Sequence, residues 1–176
     1  IRDMMGRQVD GLIIGKIAGA LEEKDFWPDL ESALKQDIAL VAFSRATSSH
    51  IDCLCIDYIA MARTLTEHFI HQHGFRSIWY LGVDSRTVRQ RGYFAAMRAA
   101  GLDSAKRQFL LPALGMQTAR DAICELMQRE KKPEAILCHN DIIAIGVMNG
   151  LRKCGYRVPE DIAVAGIDHH QISSFF

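Results

Sequence analysis

The sequence has little that would tie it to a membrane or to nucleic acid. No apolar run approaches the ~20 residues that a membrane-spanning helix requires, and the N-terminus shows no signal-peptide pattern. The 21 basic and 21 acidic residues give a formal net charge of zero. Because a nucleic-acid-binding surface needs an excess of positive charge, another segment would have to make any contact with DNA.

Signals of redox, metal and catalytic chemistry are also missing. The five cysteines are scattered through apolar stretches and form no C-x-x-C pair, so we expect reduced thiols, as in the cytoplasm. The motifs G-x-G-x-x-G, G-x-x-x-x-G-K-[ST], G-x-S-x-G and H-E-x-x-H do not occur. We therefore predict that the chain is not an enzyme and has no cofactor, no metal site and no catalytic residue.

Short apolar runs alternate with longer amphipathic ones along a chain of 176 residues, of which 49% are apolar. The predicted strands are DGLII (10–14), DIALVAF (37–43), IDCLCID (51–57), RSIWYLG (76–82), EAILC (134–138) and DIAVAGI (161–167). The predicted helices lie near 28–35, 58–72, 88–100, 119–129 and 141–153, and three end at a glycine suited to a left-handed C-cap: Gly74, Gly101 and Gly155. This alternation predicts an α/β fold with parallel sheets flanked by helices.

Polar residues directly follow several predicted strands. In open parallel sheets, ligands bind at the carboxyl ends of the strands. The candidate positions are 43–45, Asp57, 82–89, 139–141 and 168–170. The last group, Asp168 with His169 and His170, is open to a metal interpretation. A solvated loop is the alternative.

Three segments together carry a specific pattern. In SRTVRQRGYFAAMRAAGL (85–102), the residues Ser85, Arg89 and Gly92 are spaced S-x-x-x-R-x-x-G at a predicted helix start. The segment 133–168 contains an N-D pair, a G-x-x-V-P-x-D turn and a terminal G-I-D sequence; it reads PEAILCHNDIIAIGVMNGLRKCGYRVPEDIAVAGID. With VDGLII (9–14), these segments resemble the effector-binding core of the LacI/GalR family of bacterial transcription regulators.

The resemblance implies a two-lobed periplasmic-binding-protein-like fold that closes over a small ligand. We expect residues 1–73 to belong to the N-terminal lobe and residues 74–176 to form the C-terminal lobe. By position, the resemblance implies that Arg89, Asn140 and Asp168 bind the effector, with Ser85 and Ser44 as weaker candidates. A guanidinium, an amide and a carboxylate suit the hydroxyl groups of a sugar or related polyol.

Each candidate also has a purely structural interpretation. Arg89 could be one of several arginines on a helix surface, Asp168 could cap a turn, and Asn140 could be the N-cap of the helix that begins at Asp141. We expect Gly166 to let the backbone approach a ligand or a neighbouring residue closely. We interpret His169 and His170 as loop residues and reject the metal site.

The resemblance also implies the context of the chain. A helix-turn-helix headpiece would precede Ile1 and further elements would follow Phe176, so we expect a fragment of a cytoplasmic, homodimeric repressor. A small-molecule effector would control operator binding allosterically, with no membrane contact. The alternative is an extracytoplasmic sugar-binding protein of a transport system. The five unpaired cysteines argue against that alternative.

Overall fold

The computed structural model describes residues 1–15, 23–43, 51–83, 88–104 and 107–175. Its α-helices are α1 (Arg2–Met5), α2 (Glu23–Leu34), α3 (Tyr58–His71), α4 (Val88–Ala99), α5 (Met116–Arg129) and α6 (Asp141–Lys153). Its strands are β1 (Gly11–Ile14), β2 (Ala39–Ala42), β3 (Asp52–Cys53), β4 (Ile78–Gly82), β5 (Gln108–Leu110), β6 (Ala135–Cys138) and β7 (Ala163–Ala165). A 3₁₀-helix follows at Gln171–Phe175, and the elements group into two compact units, Ile1–Ile56 and Asp57–Phe176.

The first unit is built on a parallel sheet of order β1-β2-β3. Alternate strand residues such as Leu40 and Ala42 are buried and join Leu30 and Ala33 of α2 in one apolar cluster. This follows from the two-residue period of a strand, which sends successive side chains to opposite faces. On the strand β1, Ile13 points away from that cluster and its surface is 74% exposed.

The second unit is built on a parallel sheet of order β5-β4-β6-β7. Trp79, Leu81 and Ile136 belong to an apolar cluster with residues of α5 and α6. Tyr80 and Leu137, which point the other way, belong to a second cluster with residues of α3 and α4. Helices therefore cover both faces of this sheet, which confirms the predicted α/β class and explains why all five residues of β4 are buried.

The glycines that follow three helices adopt the left-handed backbone predicted for them. The angle φ is +70° at Gly74, +66° at Gly101 and +85° at Gly155. Only glycine adopts this conformation without steric cost, so these residues end α3, α4 and α6 where the sequence indicated.

Several boundaries differ from the sequence prediction. The predicted strand at 51–57 is reduced to Asp52–Cys53, and its later residues, including Leu54 and Ile56, are exposed. The strand β5 was not predicted, because it is three half-buried or exposed residues at a sheet edge and its apolar signal is short. The helix α2 begins at Glu23, before the predicted start, and contains Pro28.

The division between the two units falls at Ile56 and Asp57, whereas the sequence placed the lobe boundary at residues 73 and 74. The helix α3 is grouped with the second unit because it packs along α4 and contributes Ala62, Phe69 and Ile70 to the same apolar cluster. The assignment of these units to the two lobes stays a prediction. Among the described residues, no helix is both long enough and apolar enough to cross a bilayer.

Candidate functional site

Polar side chains collect at the carboxyl edge of the second sheet. The strand β6 ends at Cys138 and is followed by His139, Asn140 and Asp141, while Asp168 follows β7. The helix α4 begins nearby at Val88 and brings Arg89 to the same edge. Since all strands of this sheet are parallel, residues far apart in the sequence meet there.

Arg89 and Asp168 form an ion pair. The Nη2 atom of Arg89 donates to Oδ1 of Asp168 at 2.5 Å, and the two side chains are 12% and 35% exposed. The structure therefore brings together two of the predicted site residues, although 79 positions separate them in the chain. A charge-assisted hydrogen bond in a half-buried setting is stronger than one fully in water, so the pair holds both side chains in defined positions.

Two aromatic side chains also hold the guanidinium of Arg89. Its Cζ atom lies 3.7 Å from the ring centroid of Tyr58, which is a cation–π geometry. Its Nη1 atom lies 3.3 Å from Nε2 of His139, whose Nδ1 lies 3.1 Å from the hydroxyl of Tyr80. Because a guanidinium can only donate, Nε2 of His139 accepts, and the ring proton sits on Nδ1 facing Tyr80.

The Nε–H of Arg89 is buried and has no hydrogen-bond partner among the described residues. A buried donor left in this state costs free energy, so an acceptor at this position would be stabilising.

Gly92 explains how Arg89 reaches Tyr58. A Cβ atom at Gly92 would overlap the carbonyl oxygen of Ile59 and lie 2.9 Å from the backbone nitrogen of Arg63. The helices α3 and α4 therefore pack backbone to backbone at this point. The S-x-x-x-R-x-x-G spacing places the arginine one turn before this contact, beside the first turn of α3.

Asn140 serves as the N-cap of α6. Its Oδ1 accepts from the backbone N–H of Ile143 at 3.0 Å, which satisfies one of the free donors at the start of the helix. The capping interpretation of Asn140 is thus present in the structure, and ligand contact through its amide group stays a prediction.

Asp141 links the start of α6 to the segment that follows β7. Its backbone N–H donates to the carbonyl of Ile167 at 3.1 Å, and its Oδ2 accepts from the backbone N–H of His170 at 2.6 Å. A Cβ atom at Gly166 would lie 2.5 Å from Oδ1 of Asp141. The close backbone approach predicted for Gly166 is confirmed, and the neighbouring residue that requires it is Asp141.

The turn that carries Asp168 is backbone-strained. The angle φ is +106° at Asp168 and +51° at His169, both in the region that L-residues seldom adopt. Such conformations persist where surrounding contacts fix them, here the bond from His170 to Asp141 and the ion pair with Arg89. The strain is therefore located at the residue predicted to bind the effector.

A cleft of about 540 Å³ opens beside this turn. Its lining combines Asp141, Asp168 and Ser173 with Met61 and Leu65 of α3. The volume lies within the range of small-molecule sites, and the mixture of apolar wall and polar oxygens is typical of them.

The prediction of site residues was incomplete. Ser44 and Ser85 lie outside the described residues, so their ligand role stays a prediction. Tyr58, His139 and Asp141 contact the site but were not predicted as site residues. His139 and Asp141 stood among the strand-end positions, which was the available signal, whereas nothing in the sequence pairs Tyr58 with Arg89.

Cys138 ends β6 at this edge of the sheet, and its side chain is fully buried. Burial, with a smaller contribution from the carboxylate of Asp141, raises the pKa of the Cys138 thiol, so that thiol stays protonated at neutral pH. Within the described part of the chain, no group of three or more histidine, cysteine, aspartate or glutamate side chains could hold a metal ion.

Comparisons with known proteins agree with this fold. Residues 66–176, more than half of the chain, match the family model described as a periplasmic binding protein-like domain. The chain is similar to the HTH-type transcriptional repressor PurR of Aliivibrio salmonicida, with 26% identity over 180 residues covering 100% of the chain and 53% of the repressor. It is similar to the ribose operon repressor of Escherichia coli (strain K12), with 34% identity over 88 residues covering 50% of the chain and 27% of the repressor.

A crystal structure of a regulatory protein of the LacI family from Chloroflexus aggregans superposes with a TM-score of 0.80, with 27% identity, covering 99% of this chain and 63% of that one. The chain belongs to the periplasmic binding protein-like domain family, as a LacI/GalR-type effector-binding domain. The relatives that it matches are named as transcriptional repressors. The chain spans about half the length of the full-length PurR relative.

Proposed function

We propose that this chain senses a small sugar or related polyol on behalf of a DNA-binding repressor. The observation that carries the proposal is the Arg89–Asp168 ion pair at the carboxyl edge of the sheet, with the buried Nε–H of Arg89 lacking an acceptor among the described residues. The similarity to a protein named as a ribose operon repressor supports a sugar as the ligand.

The chemistry of the site suits vicinal hydroxyl groups. Asp168 accepts hydrogen bonds, Arg89 donates them, and the amide of Asn140 can do one of each. A ligand that lacks the matching hydroxyl would leave buried groups unpaired, which costs about 1–3 kcal/mol for each group. Selectivity among sugars would therefore come from the pattern of hydroxyls rather than from apolar area. Ser44 and Ser85 are proposed as further contacts.

The proposed mechanism is a shift between two conformations of the full-length regulator. An effector that binds one conformation more tightly changes operator affinity only by the ratio of its affinities for the two. The regulator would act in the cytoplasm as a homodimer, and a helix-turn-helix segment would contact the operator. Effector binding and DNA binding would then occur at separate sites of one protein.

The full-length regulator allows a direct test. Arg89→Ala and Asp168→Ala should leave operator binding in a gel-shift assay within about threefold of the unmodified regulator and abolish the response to the effector sugar. Arg98→Ala is the matched control, because Arg98 is an exposed arginine on the same helix. A regulator with Arg89→Ala that still responds to the effector as the control does would refute the proposal.

A further inference from the structure

The helices α5 and α6 run side by side in unusually close contact. A Cβ atom at Gly146 would overlap the carbonyl oxygen of Met116, and a Cβ atom at Gly150 would lie 2.7 Å from the carbonyl oxygen of Arg120. Both contacts join residues 30 positions apart, so the two helices are parallel and their registers stay aligned over a full turn. Small residues at such a crossing let the backbones approach.

One turn further along the two helices, the same offset of 30 positions pairs Cys124 with Cys154. Both Cys124 and Cys154 contact the carbonyl oxygen of Gly150: the Sγ of Cys124 donates to it at 3.5 Å, and the backbone N–H of Cys154 donates to it at 3.0 Å. Burial and then the neighbouring Cys124 thiol raise the pKa of the Cys154 thiol. Because both residues contact the same carbonyl oxygen and line the same groove, they lie beside each other, with Cys154 at the C-cap of α6 and Cys124 five residues before the end of α5.

The pair is accessible to small reagents. Both residues are half-buried and line a groove of about 450 Å³ together with Lys153 and Tyr156. The other cysteines differ in their surroundings: Cys138 is fully buried, and Cys53 and Cys55 are exposed in the first unit. None of the five is in a disulfide.

We propose that Cys124 and Cys154 are a dithiol pair that hydrogen peroxide converts reversibly to an intramolecular disulfide. The thiolate of Cys124 attacks a peroxide oxygen, the O–O bond breaks, and a sulfenic acid and one water form once the departing hydroxide takes up a proton. The second sulfur attacks the sulfenic sulfur, the S–S bond forms, and a second water leaves. Overall, two thiols and one peroxide give one disulfide and two waters.

This site is separate from the proposed effector site. The helix α6 spans 13 residues from Asp141, which lies at the carboxyl edge of the sheet, to Lys153. Cys154 directly follows Lys153 and therefore lies roughly 20 Å from Asp141. Oxidation would covalently join α5 to the end of α6, on one face of the sheet, without touching Arg89 or Asp168, so its test does not depend on the effector.

The experiment uses the 176-residue chain with Cys53→Ser and Cys55→Ser, which removes the exposed thiols able to link separate molecules. After peroxide treatment and blocking of remaining thiols, trypsin should release residues 121–129 joined to residues 154–157. Before blocking, the intact mass should fall by two hydrogens, and dithiothreitol should restore it. Cys124→Ser and Cys154→Ser, each added singly, should abolish the linked peptide.

The rate of disulfide formation distinguishes two thiols that the fold holds together from two thiols that meet by chance. Because the fold holds the two sulfurs together, the linked peptide should form about tenfold faster in the folded chain than in the same chain unfolded in urea. Equal rates, or separate oxidation of Cys124 and Cys154 to sulfinic and sulfonic acids with no linked peptide, would overturn the proposal. The same peptide map can be made on the unsubstituted chain, so the result does not depend on how a variant folds.

Discussion

At the scale of single residues, Arg89 is fixed from several directions. The ring of Tyr58, Nε2 of His139 and the carboxylate of Asp168 all contact its guanidinium. A planar guanidinium held in this way presents its donors at set angles, which the ammonium of a lysine could not do. The residue is therefore oriented before a ligand arrives, which reduces the entropic cost of binding.

Asn140 is a residue whose capping and ligand roles can be separated by substitution. Asn140→Ala removes the acceptor for the N–H of Ile143 and should lower the free energy of unfolding by about 1 kcal/mol. Asn140→Asp keeps an oxygen at that place and should leave stability within about 0.5 kcal/mol of the unmodified chain. Urea unfolding monitored by circular dichroism measures both values. Equal losses in the two variants would contradict the capping role.

At the scale of elements, Glu134 joins the beginnings of two neighbouring strands. Its Oε2 accepts from the backbone N–H groups of Arg76 and Ser77, each at 2.7 Å, just before β4 begins. Its own backbone N–H donates to the carbonyl of Ser77 at 2.8 Å. Hydrogen bonds from the backbone of Arg76 and then of Ser77 lower the pKa of the Glu134 carboxyl.

This lowered pKa predicts a pH-dependent contribution to stability. Between the folded and the unfolded pKa, the unfolded chain binds more protons, so the contribution is full above the unfolded pKa of about 4.3 and is lost as pH falls through the folded pKa. Glu134→Gln should therefore reduce the free energy of unfolding at about pH 7, and the difference from the unmodified chain should shrink at about pH 3. Urea unfolding at both pH values measures this difference. If the difference in the free energy of unfolding is the same at both pH values, the charge of Glu134 does not contribute to stability.

The elements differ in how well the sequence predicted them. The buried strands β4 and β6 and the helix ends at Gly74, Gly101 and Gly155 follow from local signals, namely continuous apolar runs and a left-handed glycine. β5 has three residues at a sheet edge and is recognised by its pairing with β4, a non-local contact. The strand at 52–53 is shorter than predicted for the same reason, since its length depends on pairing with β2.

At the scale of the whole molecule, the class of fold could be predicted from the sequence, whereas most contacts of the site could not. Arg89 and Asp168 stood among the strand-end positions, and the spaced pattern that resembles regulators of the LacI/GalR family singled them out as ligand residues. The hydrogen bond between them, the ring of Tyr58 and the tautomer of His139 depend on the packing of α3 against α4. No local signal in the sequence encodes those distances.

The most direct test of the central claim is a thermal-shift titration of this chain against mono- and disaccharides, with and without phosphate. At a hundredfold excess over its dissociation constant, an effector sugar stabilises by ~2.7 kcal/mol, which corresponds to a rise in Tm of roughly 5–10 °C. We predict this rise for the unmodified chain and for Arg98→Ala, and its loss in Arg89→Ala. A sugar that raises the Tm of Arg89→Ala as much as that of the unmodified chain would contradict the account.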